Sequence, residues 1–312
     1  MIAALPDWIE SQLCAAPAPA VQEFAAHLAA HGHGSVLAVL FYGSGLRSGD
    51  LADGLLDFYV LVDRLRDWHG PGLAALANRL LPPNVFYQEQ TIGTQQLRAK
   101  IAVLSLEQFQ QGMHADSLDT TLWARFSQPV MCAWSRDAAA LKGTAAALAQ
   151  AAVTAASWAA RLGPASATAQ DYWRSLFQRT YATELRVERG ERAQDVLGFD
   201  PTYYDVLLPM AWNGGGIHFQ RRADGLLEPQ ITPQQRKTAA RAWQRRQRLG
   251  QPLNLLRLSK AAFTFDNGAD YLAWKIERHS GVKLNLTDWQ RRHPILAAPG
   301  IIWRLKRRSV LR

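Results

Sequence analysis

Apolar and polar positions along the chain alternate in two rhythms, and the first 135 residues carry both. Val21, Phe24, Ala25 and Leu28 recur at helical spacing. The run SVLAVLFYG at 35–43, unbroken and closed by a glycine, predicts a buried strand. A loop rich in Gly and Asp, GSGLRSGDLADG, separates it from a second apolar run, Leu55–Val62. Ala and Leu at helical spacing predict a helix over Pro71–Leu81, stopped by Pro82 and Pro83. NVFYQ and AKIAVLS read as two further strands, Leu106–Gly112 as a helix and Val130–Trp134 as a fifth strand. Strands interleaved with helices predict an α/β domain.

The pattern then changes. Residues 137–161 are almost all helix formers and small residues, so a helical domain is expected from there. It continues through 167–189, breaks at Gly214–Gly216 and around Asp224, and resumes in a basic helix over Arg236–Arg248 and another over Ala269–His279 with Gly281 as its C-cap. The expected division is residues 1–136 as the α/β domain, 137–290 as the helical domain and 291–312 as a basic amphipathic tail. A length of 312 residues agrees with two domains at about 150 residues each.

Composition narrows the class. With 48% hydrophobic and 20% charged residues the chain is neither disordered nor collagen-like. The apolar stretches Val36–Tyr42 and Pro294–Trp303 fall short of the roughly 20 residues of a spanning helix, and Gly143–Ala160 is mostly Ala with Thr, Gln and Ser. The N-terminus has acidic Asp7 and Glu10 and no basic region, so no secretory signal is expected, and the chain is expected in the cytoplasm. Cys14 and Cys132 stand far apart in sequence, without a zinc-type spacing. Charge is uneven: residues 229–312 hold 18 Lys and Arg against 4 Asp and Glu, whereas the rest of the chain is net negative.

Phe41–Asp63 is the stretch with most chemistry. A buried strand ending in Gly-Ser, a loop of about a dozen residues, and an aspartate inside a second apolar strand form the layout of the nucleotidyltransferase superfamily. Gly43 and Gly45 let the backbone approach a triphosphate, Ser44 can bond its oxygens, and a strand carboxylate can hold Mg²⁺ against them. An aspartate inside an apolar strand is costly unless paired or metal-bound, which singles out Asp57. The usual second carboxylate, two residues away on the same face, is absent: those positions are Leu55 and Tyr59.

YGSG followed by LDFYVLVD and Trp68-His69 resembles the mitochondrial-type phosphatidate cytidylyltransferases of the translocator-assembly-and-maintenance family, whose strand also carries a single aspartate. Similar elements follow in order: Asn84–Tyr87, Arg98–Ser105, Leu122–Val130, Ala151–Ala156, and Leu258–Phe265 with Tyr271 and Lys275. Ala124, Gln128 and Phe265-Asp266 depart from the family pattern, and Tyr181–Val187 keeps only Glu184 and Arg186 of its polar element.

The resemblance implies an α/β nucleotidyltransferase-like domain followed by a mainly helical, winged-helix-like one. It implies transfer of CMP from CTP to phosphatidic acid with Mg²⁺ as cofactor, giving CDP-diacylglycerol and pyrophosphate. Asp57 is then the metal ligand, with Tyr42, Gly43, Ser44, Gly45 and Lys260 around the nucleotide, and Thr264 carried over beside Lys260. Lys100, an ammonium inside an apolar strand, calls for an anion, either a phosphate or an internal carboxylate. Arg125, between Trp123 and Phe126, is either a phosphate clamp or a stacked structural arginine. Asp50, Asp53 and Glu89 are further candidate carboxylates. Asp63 lies about 20 Å along the strand from Asp57, which fits a strand-end cap better than a shared metal. His69 alone is more often structural than a proton carrier.

The segment HPILAAPGIIWRLKRRSVLR places Trp303 beside Arg304, Lys306, Arg307 and Arg308, which suits an anchor on an anionic membrane surface; plain basic surface is the alternative. The expected protein is a peripheral membrane enzyme for which nucleic acid is not a partner. A transferase with another acceptor, or a degenerate nucleotide- or nucleic-acid-binding module, are the alternatives.

Overall fold

A computed structural model describes residues 4–49, 51, 54–183, 196–264, 269, 273–274 and 286–292. Two proline-started helices, α1 (Leu5–Leu13) and α2 (Pro19–His31), precede strand β1 (Val36–Tyr42). After a short helix, α3 (Ser44–Ser48), come β2 (Leu56–Val62), α4 (Leu65–His69), α5 (Leu73–Leu80) and the hairpin β3 (Asn84–Ile92) and β4 (Gln95–Ser105). Helices α6 (Leu106–Gly112) and α7 (Thr121–Phe126) lead to the edge strand β5 (Met131–Ser135). The five strands form one mixed sheet in the order β3-β4-β2-β1-β5, with β2 and β4 parallel and the other pairs antiparallel. A parallel pair needs a crossover, and α4, α5 and β3 supply it.

Both faces of the sheet are covered, which explains the unbroken apolar runs of β1 and β2. On one face Phe24 and Leu28 of α2 meet Phe58, Val60, Ile101 and Val103. On the other, Leu40, Tyr59, Ala102 and Leu104 meet α7 and the helices beyond. The first of those is α8 (Ala138–Leu162), capped by Asp137, whose carboxylate accepts from Ala140 N at 2.7 Å. Around it pack α1, α9 (Ala169–Thr183), α10 (Pro201–Gly214) and α11 (Pro233–Thr264); its alanines let each approach closely. A small hairpin, β6 (Phe219–Arg221) with β7 (Leu227–Pro229), links α10 to α11, and α12 (Asp288–Arg292) is the last element among the described residues. One apolar cluster runs without a break from Leu40 and Tyr59 through α8 to Trp212 and Trp243.

Two segments take a form other than the one expected from the sequence, and α1, α4, α7, α10 and the β6–β7 hairpin were not individually expected. The Gly-rich loop begins with α3, closed by Gly49 at φ +68°. The basic helix runs on past Arg248 through Gly250 and Pro252. Gly250 is required for that path, since a Cβ there would lie 2.9 Å from the Thr183 carbonyl oxygen. Its cations are not all surface: Arg246 is buried, its guanidinium 4.5 Å from the Trp158 ring and bonded to the carbonyls of Ala115, Ser117 and Ala242.

Among the described residues, no helix is long and apolar enough to cross a membrane. Asp50, Asp53, Glu184, Arg186, Tyr271, Lys275 and the tail residues Trp303, Arg304, Lys306, Arg307 and Arg308 lie outside the described residues, as does the helix expected over Ala269–His279 except at 269 and 273–274.

Candidate functional site

The site is built by strand register. β1 ends at Tyr42, which faces Asp57 across the antiparallel pair. Asp57 faces Lys100 across the parallel pair, and Lys100 faces Tyr87. Directly paired residues point to the same side of a sheet. Tyr42, Asp57, Lys100 and Tyr87 therefore form a row across four strands, on the α8 side. The row behind it, Leu40, Tyr59, Ala102 and Val85, belongs to the apolar core. Polar groups thus begin where the core ends.

Gly43 makes the turn out of β1 at φ +88°, ψ −157°, which a side chain tolerates poorly. A Cβ at Gly43 would lie 2.5 Å from Asp57 Oδ2, so the carboxylate occupies the space a side chain would need. Ser44, exposed, and Gly45, buried against the Leu55 carbonyl, start α3 immediately beyond. The turn, its backbone N–H groups and the Asp57 carboxylate are thereby gathered at one corner.

Arg125 joins them from α7. Its Nη1 donates to Tyr59 Oη at 3.0 Å, and its guanidinium lies 5.3 Å from the Tyr42 ring centroid and 5.9 Å from that of Tyr59. Stacked on two tyrosines, the planar fork is held in orientation. The sequence reading set Arg125 between Trp123 and Phe126; the rings it meets are Tyr42 and Tyr59, while Trp123 is buried in the core. Tyr59 and Tyr87 were not singled out from sequence. Tyr59 is two residues from Asp57 on the same strand, so period two places it on the same face; for Tyr87 only the register of β3 against β4 decides.

Glu89, on the edge strand, accepts from Tyr87 Oη at 2.6 Å and from Gln96 Nε2 at 2.7 Å, with Arg98 Nε at 3.5 Å. Asp63 is at the far end of β2, paired with Arg136 at 2.5 Å. Asp57 is the one carboxylate of the row, and among the described residues no group of three or more His, Cys, Asp or Glu gathers to hold a metal. That donor set fits Mg²⁺ bound through one carboxylate and completed by phosphate oxygens and water; it does not fit an ion caged by protein alone.

Lys260 is not brought to this row. Its Nζ donates to the carbonyls of Leu81 and Pro83 at 2.5 and 2.7 Å and to Asn84 Oδ1 at 3.0 Å. Asn84 faces Val103, three residues along β4 from Lys100, so its side chain is on the opposite face. There Asn78, fully buried on α5, bonds His69 Nε2 at 2.8 Å and the Val103 carbonyl at 3.0 Å and accepts from Asn84 N at 3.3 Å. Burial, and then the nearby Lys260 charge, lower the His69 pKa to about 4. Burial, and then Arg257, lower that of Lys260 to about 8. Arg257 in turn pairs with Asp119 at 2.7 Å. Burial alone would raise the Asp119 carboxyl, but the Arg257 charge and the hydrogen bonds from Arg257 and Thr121 outweigh it and hold the carboxyl below its ordinary range. These groups fasten α11 to the turn before β3.

Compared with known proteins, the chain matches no family model and no curated protein.

Proposed function

We propose that the protein is a Mg²⁺-dependent nucleotidyltransferase of the CTP:phosphatidate cytidylyltransferase kind, working at an anionic membrane surface. The observation that carries the reading is the corner at Gly43, where a glycine-only turn lies against Asp57 with Lys100 and Arg125 on the same sheet face. The lipid acceptor and the choice of CTP rest on the resemblance of YGSG, LDFYVLVD and the later elements to that family. The basic tail around Trp303 and Arg304 supplies the membrane contact in this reading.

The transfer needs alignment and charge neutralisation more than covalent catalysis. An oxygen of the lipid phosphate attacks the α-phosphorus of CTP, the new P–O bond forms, the bond to the β-phosphate oxygen breaks, and pyrophosphate leaves with the electron pair. The Gly43–Gly45 turn brings backbone N–H groups within reach of the triphosphate. Asp57 holds Mg²⁺, which when bound withdraws charge from the phosphate oxygens. Lys100 and Arg125 add fixed positive charge, preorganised because Tyr42 and Tyr59 orient the guanidinium. A phosphate nucleophile is already ionised, so no general base is required.

The test supplies purified protein with CTP, Mg²⁺ and phosphatidic acid in detergent micelles and follows pyrophosphate and CDP-diacylglycerol. Both are expected. Pyrophosphate release only with a water-soluble acceptor, under Mg²⁺ or Mn²⁺, overturns the lipid assignment. The single carboxylate of the row favours one second reading, a nucleotide-binding module without transfer; CTP binding with no pyrophosphate under any acceptor identifies it.

A further inference from the structure

Beyond Tyr42, on the same face and at the same end of the sheet as Asp57, a recess of about 220 Å³ opens between α1, α3, α8 and the start of β5. Leu13 and Leu148, both almost fully buried, are among its innermost residues; Phe126 forms one wall, Leu46 and Val130 another, and Phe199, 40% exposed, stands at its rim. Its lining is mostly apolar; the polar side chains among it are Gln12, Asp200 and Tyr203, and the Asp200 carboxylate is engaged as the cap of α10, accepting from Tyr203 N at 3.0 Å. Protein interiors rarely leave voids larger than a water, and a recess with mostly apolar walls holds water poorly. Such a recess favours an apolar guest.

Its walls belong to the elements of the candidate site. Leu46 follows Ser44 and Gly45 within α3, and Phe126 follows Arg125 within α7. The Phe126 ring lies 5.9 Å from the Tyr42 ring and 5.0 Å from that of Tyr59, the two rings that carry the Arg125 guanidinium. An anion on Arg125 would therefore face the recess across the Phe126 ring. We propose that this recess takes one acyl chain of a phosphate-bearing lipid whose headgroup rests at Arg125. The proposal deepens the reading of the acceptor as a lipid phosphate, and it rests on that reading.

The experiment titrates ethyl, octyl and dodecyl phosphate, each below its micelle concentration, into the full chain without nucleotide. Transfer of each methylene from water should tighten binding about 4-fold until the recess is filled, after which affinity levels off. Val130→Trp and Leu46→Trp place a large ring in the recess and should reduce dodecyl phosphate to the affinity of ethyl phosphate, while circular dichroism reports the fold. Leu148→Ala deepens the recess and should move the plateau to a longer chain. Affinity independent of chain length in the unaltered protein overturns the proposal, as does chain-length dependence that survives in both tryptophan variants. Absence of CDP-diacylglycerol synthesis with chain-length dependence intact overturns the cytidylyl transfer alone and leaves the recess assigned.

Discussion

The two faces of the sheet each carry a cluster of polar groups, and they use them in opposite ways. On the α2 and α5 side, Asn78, His69, Asn84 and Lys260 satisfy one another and the nearby backbone, and the two ionisable groups are pushed toward their neutral forms. The cluster closes a turn. On the α8 side, Asp57, Lys100 and Arg125 stand at the edge of the core beside a glycine-only turn. A lysine is therefore not a site because it is partly buried. What separates Lys100 from Lys260 is place: Lys100 faces Asp57 across the parallel pair beside the Gly43 turn, whereas Lys260 Nζ donates to Leu81 O, Pro83 O and Asn84 Oδ1 on the opposite face.

Four substitutions set the two clusters against each other, from the largest effect to the smallest. Asp57→Asn keeps volume and removes the charge that would hold Mg²⁺ in the proposed transfer; turnover in that reaction should fall about a thousandfold while the melting temperature moves by no more than about 2 °C. A matching loss of stability and activity would instead make Asp57 a structural group like Asn78. Asn78→Ala should do the reverse. It leaves the Val103 carbonyl and the Asn84 amide without a buried partner, a loss of about 3 kcal/mol in denaturant unfolding, with turnover per folded molecule unchanged.

Arg125→Lys keeps the charge and gives up the planar fork over Tyr42 and Tyr59, so the KM for nucleotide should rise about tenfold with kcat little altered. An unchanged KM would assign Arg125 to packing. The smallest effect is one of pH. His69 titrates near 4 in the folded protein and near its ordinary value of 6.5 when unfolded, so the unfolded chain binds the extra proton between those values. Stability is complete above about 6.5 and is lost as pH falls toward 4. Because the ring is only half-buried, the loss should be about 1 kcal/mol, visible as a difference in unfolding free energy between pH 7.5 and 5 that His69→Gln removes.

Much of the sheet was legible in the sequence because its strands are buried on both faces and read as unbroken apolar runs. Asp57 and Lys100 were legible for the same reason, as ionisable groups inside such runs. That they are neighbours was not, since the register of a parallel pair joined by a crossover is fixed by packing of the whole domain. Arg125 could be located but not given its partners, because Tyr42 and Tyr59 reach it from two different strands. Lys260 was placed beside the nucleotide by resemblance, and the acceptors it meets here include two backbone carbonyls of a proline turn and Asn84 Oδ1, a meeting that the sequence pattern does not report. The length of α11 was hidden by Gly250 and Pro252, residues that ordinarily end helices; here Gly250 lets α11 pass against the Thr183 carbonyl.

The alanine-rich helix α8 lies against the sheet on one side and against α9, α10 and α11 on the other, within a single apolar cluster. Its consequence concerns cooperativity. Cutting the chain between Ser135 and Ala138 would leave each part with an uncovered apolar face, so neither part has a stable state of its own to populate. Heating should then give a single calorimetric transition whose van't Hoff and calorimetric enthalpies agree. The corner at Gly43, lying at the rim of that shared core, should melt with the whole and not ahead of it.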